Sequence, residues 1–181
     1  MHSFHVTLGH AHLKVRDLER AVAFYTRFLG LRLTERVGSQ FAFLSGGTLH
    51  HDLALQALGS AAPGTPRYAV GLFHLAFEVP DRKSFAAAYH ALDEGGVPVA
   101  AVDHGISWAM YFADPDGNGL EIYWDTRHES HGAETWNGRS DLLNAQRIDG
   151  GASSPAPHVL VNPPLTRGGG ETAPGLRETR A

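Results

Sequence analysis

Apolar and polar positions alternate with a period of two in two short stretches, and in both a histidine holds the polar phase. The first reads Gly9-His10-Ala11-His12-Leu13-Lys14-Val15-Arg16-Asp17 and the second Phe73-His74-Leu75-Ala76-Phe77-Glu78-Val79-Pro80-Asp81. His10 aligns with His74 and Asp17 with Asp81. Such alternation predicts a half-buried strand, with Leu13 and Val15, or Phe77 and Val79, on one face and the histidine on the other. After each strand the period lengthens to that of a helix. Asp17 can cap a helix over 18–29 and Asp81 one over 82–93, and glycines (Gly30; Gly95 and Gly96) follow their ends. Val22, Tyr25, Phe28 and Leu29 form the apolar stripe of the first helix; Phe85, Ala88, Tyr89 and Leu92 form that of the second.

Three short strands are predicted after each helix: 31–36, 41–45 and 51–58 in the first copy, and 97–101, 109–113 and 120–125 in the second. A duplicated unit sets the architecture before any local detail. The expected fold is therefore α+β, two tandem βαβββ modules (about 8–58 and 72–125) paired into one partly open, barrel-like metal-binding domain over 1–125. The stretch 61–67, with Pro63, Gly64 and Pro66, connects the copies. Residues 126–181 read as a C-terminal extension, largely irregular or disordered, rich in Gly, Pro and Ser from Asp149 onward. Trp136 and the Leu142-Leu143 pair are its candidates for contact with the body.

Pairing of the modules about a pseudo-twofold axis brings His10 and His74 to one cavity. In Gly119-Leu120-Glu121-Ile122-Tyr123-Trp124, the strand period puts Leu120, Ile122 and Trp124 in the core and Glu121 on the cavity side. Two imidazoles and one carboxylate on one side of an ion leave its other side open, the arrangement of non-haem Fe(II) oxygenases. His12 shares the phase of His10 and competes with it, but only His10 has a partner in the repeat.

Composition narrows the chemistry. The 181 residues contain no cysteine, which excludes thiolate ligands, a cysteine nucleophile and a disulfide framework. A net charge of −4, with Lys14 and Lys83 the sole lysines, argues against nucleic acid and acidic membranes as partners. The N-terminus lacks the pattern of a secretory signal and no window is apolar enough to cross a bilayer, so a cytoplasmic location is expected. Asp114-Pro115-Asp116-Gly117-Asn118-Gly119 matches the start of a calcium loop, but strands rather than helices flank it and it reads as a β-turn.

The chain resembles the vicinal oxygen chelate superfamily, and within it the single-domain type I extradiol dioxygenases of the catechol 2,3-dioxygenase kind. The resemblance runs from about Leu8 to Asp125. It is carried by Leu8-Gly9-His10, Val15 to Glu19, Phe24-Tyr25, His50 to Leu55, Phe73 to Val79 and Tyr111 to Tyr123. It implies His10, His74 and Glu121 as ligands of Fe(II), with Mn(II) able to use the same set. It further implies His51 as the acid–base residue, His104 as a substrate-side histidine, and Tyr111 as a hydrogen-bond donor to a catechol oxygen. The implied reactants are a small aromatic diol and O2, and the implied assembly is a homodimer or higher homo-oligomer. By strand phase, His51 is expected to share one face with Leu53 and Leu55 and so to look into the cavity.

Relatives of the same fold define the alternatives. A glyoxalase-like isomerase or lyase needs a fourth ligand from the last strand of the first copy, where Leu55 is expected, with Gln56 beside it. A drug-sequestering resistance protein of this fold would have no use for the three ligands together.

Overall fold

The computed structural model describes residues 4–66 and 69–151. Both copies of the repeat fold as βαβββ. The first comprises β1 (Ala11–Val15), α1 (Leu18–Leu29), β2 (Arg32–Val37), β3 (Phe41–Ser45) and β4 (Leu53–Ala57). The second comprises β5 (Leu75–Glu78), α2 (Arg82–Glu94), β6 (Ala100–Asp103), β7 (Ser107–Ala113) and β8 (Gly119–Asp125). The strands form two hydrogen-bonded sheets, β1-β4-β3-β2 and β5-β8-β7-β6, with a short β9 (Asp141–Leu142) added at the β6 edge. In each, the first strand runs parallel to the last and the others are antiparallel. The paired modules are α+β as expected, and neither sheet closes into a barrel.

Helix ends follow local chemistry. Asp17 accepts the backbone N–H of Arg20 at 2.9 Å and Asp81 that of Ser84 at 2.7 Å, caps worth about 1 kcal/mol each. Gly30 stops α1 at φ +64°, a left-handed conformation that favours glycine. The fully buried face of α1 is Leu18, Ala21, Phe24 and Tyr25, while Val22, Phe28 and Leu29 of the expected stripe lie at its margin. Phe85 and Leu92 anchor α2, with Ala88 and Tyr89 half-buried beside them. The strand expected over 97–101 begins three residues late. Pro98 has no N–H to give a ladder, so pairing starts beyond it.

One core serves both modules. It joins Leu13, Val15, Phe24, Tyr25, Leu44 and Leu55 to Phe85, Leu92, Met110, Phe112, Ile122 and Trp124. A polar clasp reinforces it. Asp114, 3% exposed, accepts the Tyr25 hydroxyl at 3.0 Å and the N–H groups of Asp116 and Asn118 at 2.9 and 2.8 Å. Burial, then the Asp114 charge, pushes the Tyr25 pKa far up, so its hydroxyl stays a donor. Asp116 accepts from both Arg16 (3.2 Å) and Arg20 (2.6 Å) of the first module. The Asp114–Gly119 turn is thus a β-turn between β7 and β8 that locks the modules together.

The described part of the C-terminal extension joins this body. β9 pairs antiparallel with β6, and Leu143 and Ile148 of the following α3 region (Ala145–Ile148) enter the core. Arg82 of α2 donates to the carbonyls of Arg147 and Ile148. Residues 152–181 lie outside the described residues.

Candidate active site

The faces of the sheets turned away from the helices carry the chemistry. In β8, Leu120, Ile122 and Trp124 enter the core, as expected, and Glu121 takes the opposite side. The ladder pairs Ala76 of β5 with Glu121, so His74, two residues earlier, reaches it. Their Nε2 and Oε2 atoms are 2.8 Å apart. Gly119 makes this approach possible: a Cβ there would stand 2.3 Å from the carbonyl oxygen of Phe73. Trp108, Met110 and Phe112 pack into the core, leaving Tyr111 on the face of Glu121.

A polar chain runs on from this pair. Tyr111 is paired with Glu121 across the β7–β8 ladder, and its hydroxyl lies 2.9 Å from His104 Nε2, while His104 Nδ1 lies 2.6 Å from Ser140 Oγ. Val102, Ala109 and Tyr111, with Tyr123 at the rim, form a small apolar floor next to it. Burial raises the Glu121 pKa, opposed by the neighbouring His74 and Tyr111. Burial also raises the Tyr111 pKa, helped by the Glu121 charge, and lowers that of His104. Tyr111 is thus kept protonated and His104 neutral.

The first module supplies a second group. The His10 and His51 rings lie tilted at 54° with centroids 4.5 Å apart, the Phe43 ring lies 5.0 Å from that of His51, and His50 Nδ1 is 2.8 Å from His51 Nδ1. His50 Nε2 meets Glu35 at 3.0 Å. Desolvation, then the His10 and His50 rings, lowers the His51 pKa. The route by which His51 arrives corrects the strand-phase expectation. Leu53 and Leu55 point into the core, and His51 reaches His10 because it precedes β4, which begins two residues later. Asp52 holds that bend by accepting Ser45 Oγ and the Gly46 N–H. His12 lies exposed, 6.1 Å from Phe41.

The fourth-ligand position also moves. The parallel ladders pair His12 with Ala54 in the first module and Ala76 with Glu121 in the second. Ala54, not Leu55, therefore stands where Glu121 stands in its copy. An alanine cannot bind a metal.

Among the described residues no three His, Asp or Glu side chains are gathered as a ready metal-binding cluster: His74 and Glu121 are together, and His10 lies with His51. The residues nevertheless fit a divalent ion. Two ligands about 2.1 Å from one ion and at right angles are about 3.0 Å apart, close to the His74–Glu121 separation. A buried carboxylate, and a His74 Nδ1 atom with no hydrogen-bond partner among the described residues, mark a place where neighbouring side chains leave polar groups incompletely compensated.

Sequence reasoning missed Ser140 altogether and named Trp136 only as a possible anchor. Its ring stands edge-on to His104 at 5.8 Å, and it is half exposed. Neither lies in a periodic stretch, so only the fold of the extension reveals them.

This arrangement of paired βαβββ modules and inward imidazoles defines a class, and the comparisons with known proteins agree. Residues 7–122 match the model of the Glyoxalase/Bleomycin resistance protein/Dioxygenase superfamily, and the chain belongs to that family. A catechol-2,3-dioxygenase of Bacillus subtilis (strain 168) is 36% identical over 118 residues, covering 65% of this chain and 41% of that protein. This chain therefore spans about two fifths of that relative's length. The glutathione transferase FosA of Serratia marcescens is 31% identical over 117 residues, covering 65% of this chain and 79% of that protein. A glyoxylase/bleomycin resistance protein/dioxygenase domain from Frankia sp. EAN1pec superposes with a TM-score of 0.58 at 22% identity, covering 67% of this chain and 99% of that one. That likeness speaks to the fold alone. Among the described residues no helix is long and apolar enough to cross a membrane.

Proposed function

We propose that this chain is an extradiol dioxygenase that opens the ring of a catechol and inserts both atoms of O2. His10, His74 and Glu121 hold a non-haem Fe(II), for which Mn(II) can substitute. The observation that carries this reading is the run His74–Glu121–Tyr111–His104 along one face, opposite a first module with Ala54 at the carboxylate position. Such a site keeps positions free for a chelating diol and O2, which a fourth protein ligand would reduce.

Held by His10, His74 and Glu121, the iron would supply Lewis acidity to the diol and a path by which the diol's own electrons reach O2. The remaining work falls to the side chains. His51, its pKa lowered, takes the proton of a catechol hydroxyl and returns it later in the cycle. Tyr111 stays protonated and donates to the oxygen on which charge develops, beside the neutral His104. The product is a ring-opened hydroxymuconic semialdehyde. Exposed apolar side chains leading into β1 and β5 (Phe4, Val6 and Leu8; Val70, Leu72 and Phe73) support a homo-oligomer as the working form.

The test is oxygen uptake by anaerobically Fe(II)-loaded protein given catechol or DOPA, with the visible spectrum followed for a yellow product. One O2 consumed per diol, with colour, is expected. Absence of uptake despite bound iron, with consumption of glutathione instead, would favour a transferase like the Serratia relative.

A further inference from the structure

The extension beyond β8 grips the turn that carries His104. Thr126 Oγ1 donates to the Gly105 carbonyl at 3.1 Å and the Ala133 N–H donates to the same carbonyl at 2.9 Å. Ser140, 5% exposed, approaches the imidazole itself, and it is fixed there because the next two residues are β9, paired to the β6 edge.

Proton counting gives this chain of contacts a direction. Ser140 is nearly buried and, among the described residues, the hydrogen bond of its hydroxyl is the one to His104 Nδ1 at 2.6 Å, so its hydrogen goes to that nitrogen. Nδ1 therefore presents a lone pair, and the single hydrogen of a neutral imidazole sits on Nε2. The Tyr111 oxygen, 2.9 Å away, accepts it.

We infer that Ser140 is a positioning residue that holds His104 as its Nε2–H tautomer, with a hydrogen-bond donor aimed at Tyr111 and at the oxygen of a substrate bound beside it. The substrate part rests on the extradiol reading; the tautomer does not. Without Ser140 the buried Nδ1 lone pair loses its donor, and moving the proton to Nδ1 becomes competitive. His104 would then offer the site an acceptor where a donor is needed.

Long-range proton–nitrogen NMR of the metal-free full chain, labelled with 15N-histidine, reads the tautomer directly, with His104→Gln to identify the signals. Wild type and Ser140→Thr should show a protonated Nε2 and a bare Nδ1, and Ser140→Ala a mixture. In the Fe(II)-loaded protein, Ser140→Ala should lower kcat roughly tenfold to a hundredfold with little change in KM, and Ser140→Thr should restore it. A protonated Nδ1 in wild type, or an unchanged tautomer in Ser140→Ala, overturns the assignment. The expected tautomer without any catechol turnover upholds it and removes the extradiol reading instead.

Discussion

His74 Nε2 lies 2.8 Å from Glu121 Oε2, across two parallel strands whose register brings them together. On the proposed reading these atoms bind the metal, whereas His51 moves protons. His74→Ala and Glu121→Ala should therefore lose iron, read as metal content after desalting. His51→Ala should keep its iron and lose about 10²- to 10⁴-fold in turnover. Equal iron loss in all three would defeat this division of roles.

Gly119 offers a test that touches no ligand. With Phe73 carbonyl oxygen 2.3 Å from where a Cβ would sit, Gly119→Ala must push β5 away from β8. Weaker iron binding in a protein with unchanged far-ultraviolet circular dichroism is expected; wild-type affinity would show that the spacing is unimportant.

Trp136 stands edge-on to His104 from the extension. Trp136→Ala should change KM for ring-substituted catechols several-fold more than for catechol itself. Parallel changes for all substrates would mean that the ring does not contact substituents.

The clasp between modules carries a stability prediction. Tyr25→Phe removes a buried hydrogen bond to Asp114 and should cost about 1–3 kcal/mol, lowering Tm by roughly 2–4 °C per kcal/mol for a chain of this size. Asp114→Ala should cost more, because it strands the donors of Tyr25, Asp116 and Asn118 together. Thermal unfolding of the two variants gives the order.

His90 Nε2 bonds Asp149 at 2.7 Å and ties α2 to the residue that ends α3. That bond, ahead of nearby negative charge, raises the His90 pKa. Its contribution is complete below the ordinary histidine value of about 6.5 and is lost as pH rises through the higher native value. Asp149→Asn should bring the pKa down in an NMR titration. In wild type, protease sensitivity near Asp149 should grow as the solution is made alkaline.

The repeat, both long helices and the placement of Glu121 on the sheet face away from the core were legible in the sequence because each rests on periodicity with a capping residue or a turn. His51 and the fourth-ligand position were misread in phase. A strand's faces depend on where its ladder begins, and the bend at Asp52 removes His50 and His51 from β4. Ser140 could not be found from pattern at all. Its role comes from β9, a two-residue strand that spans a single period of the strand template and so leaves no repeat to recognise.

The inequality between the two copies has an electrostatic result. A divalent ion with two neutral imidazoles and one carboxylate keeps a single net positive charge. Had the first copy carried a carboxylate at Ala54, that charge would have been cancelled by the protein. On the proposed reading it is not, so a diol would gain from binding as a monoanion, and the substrate's own ionisation would complete the neutrality of the centre.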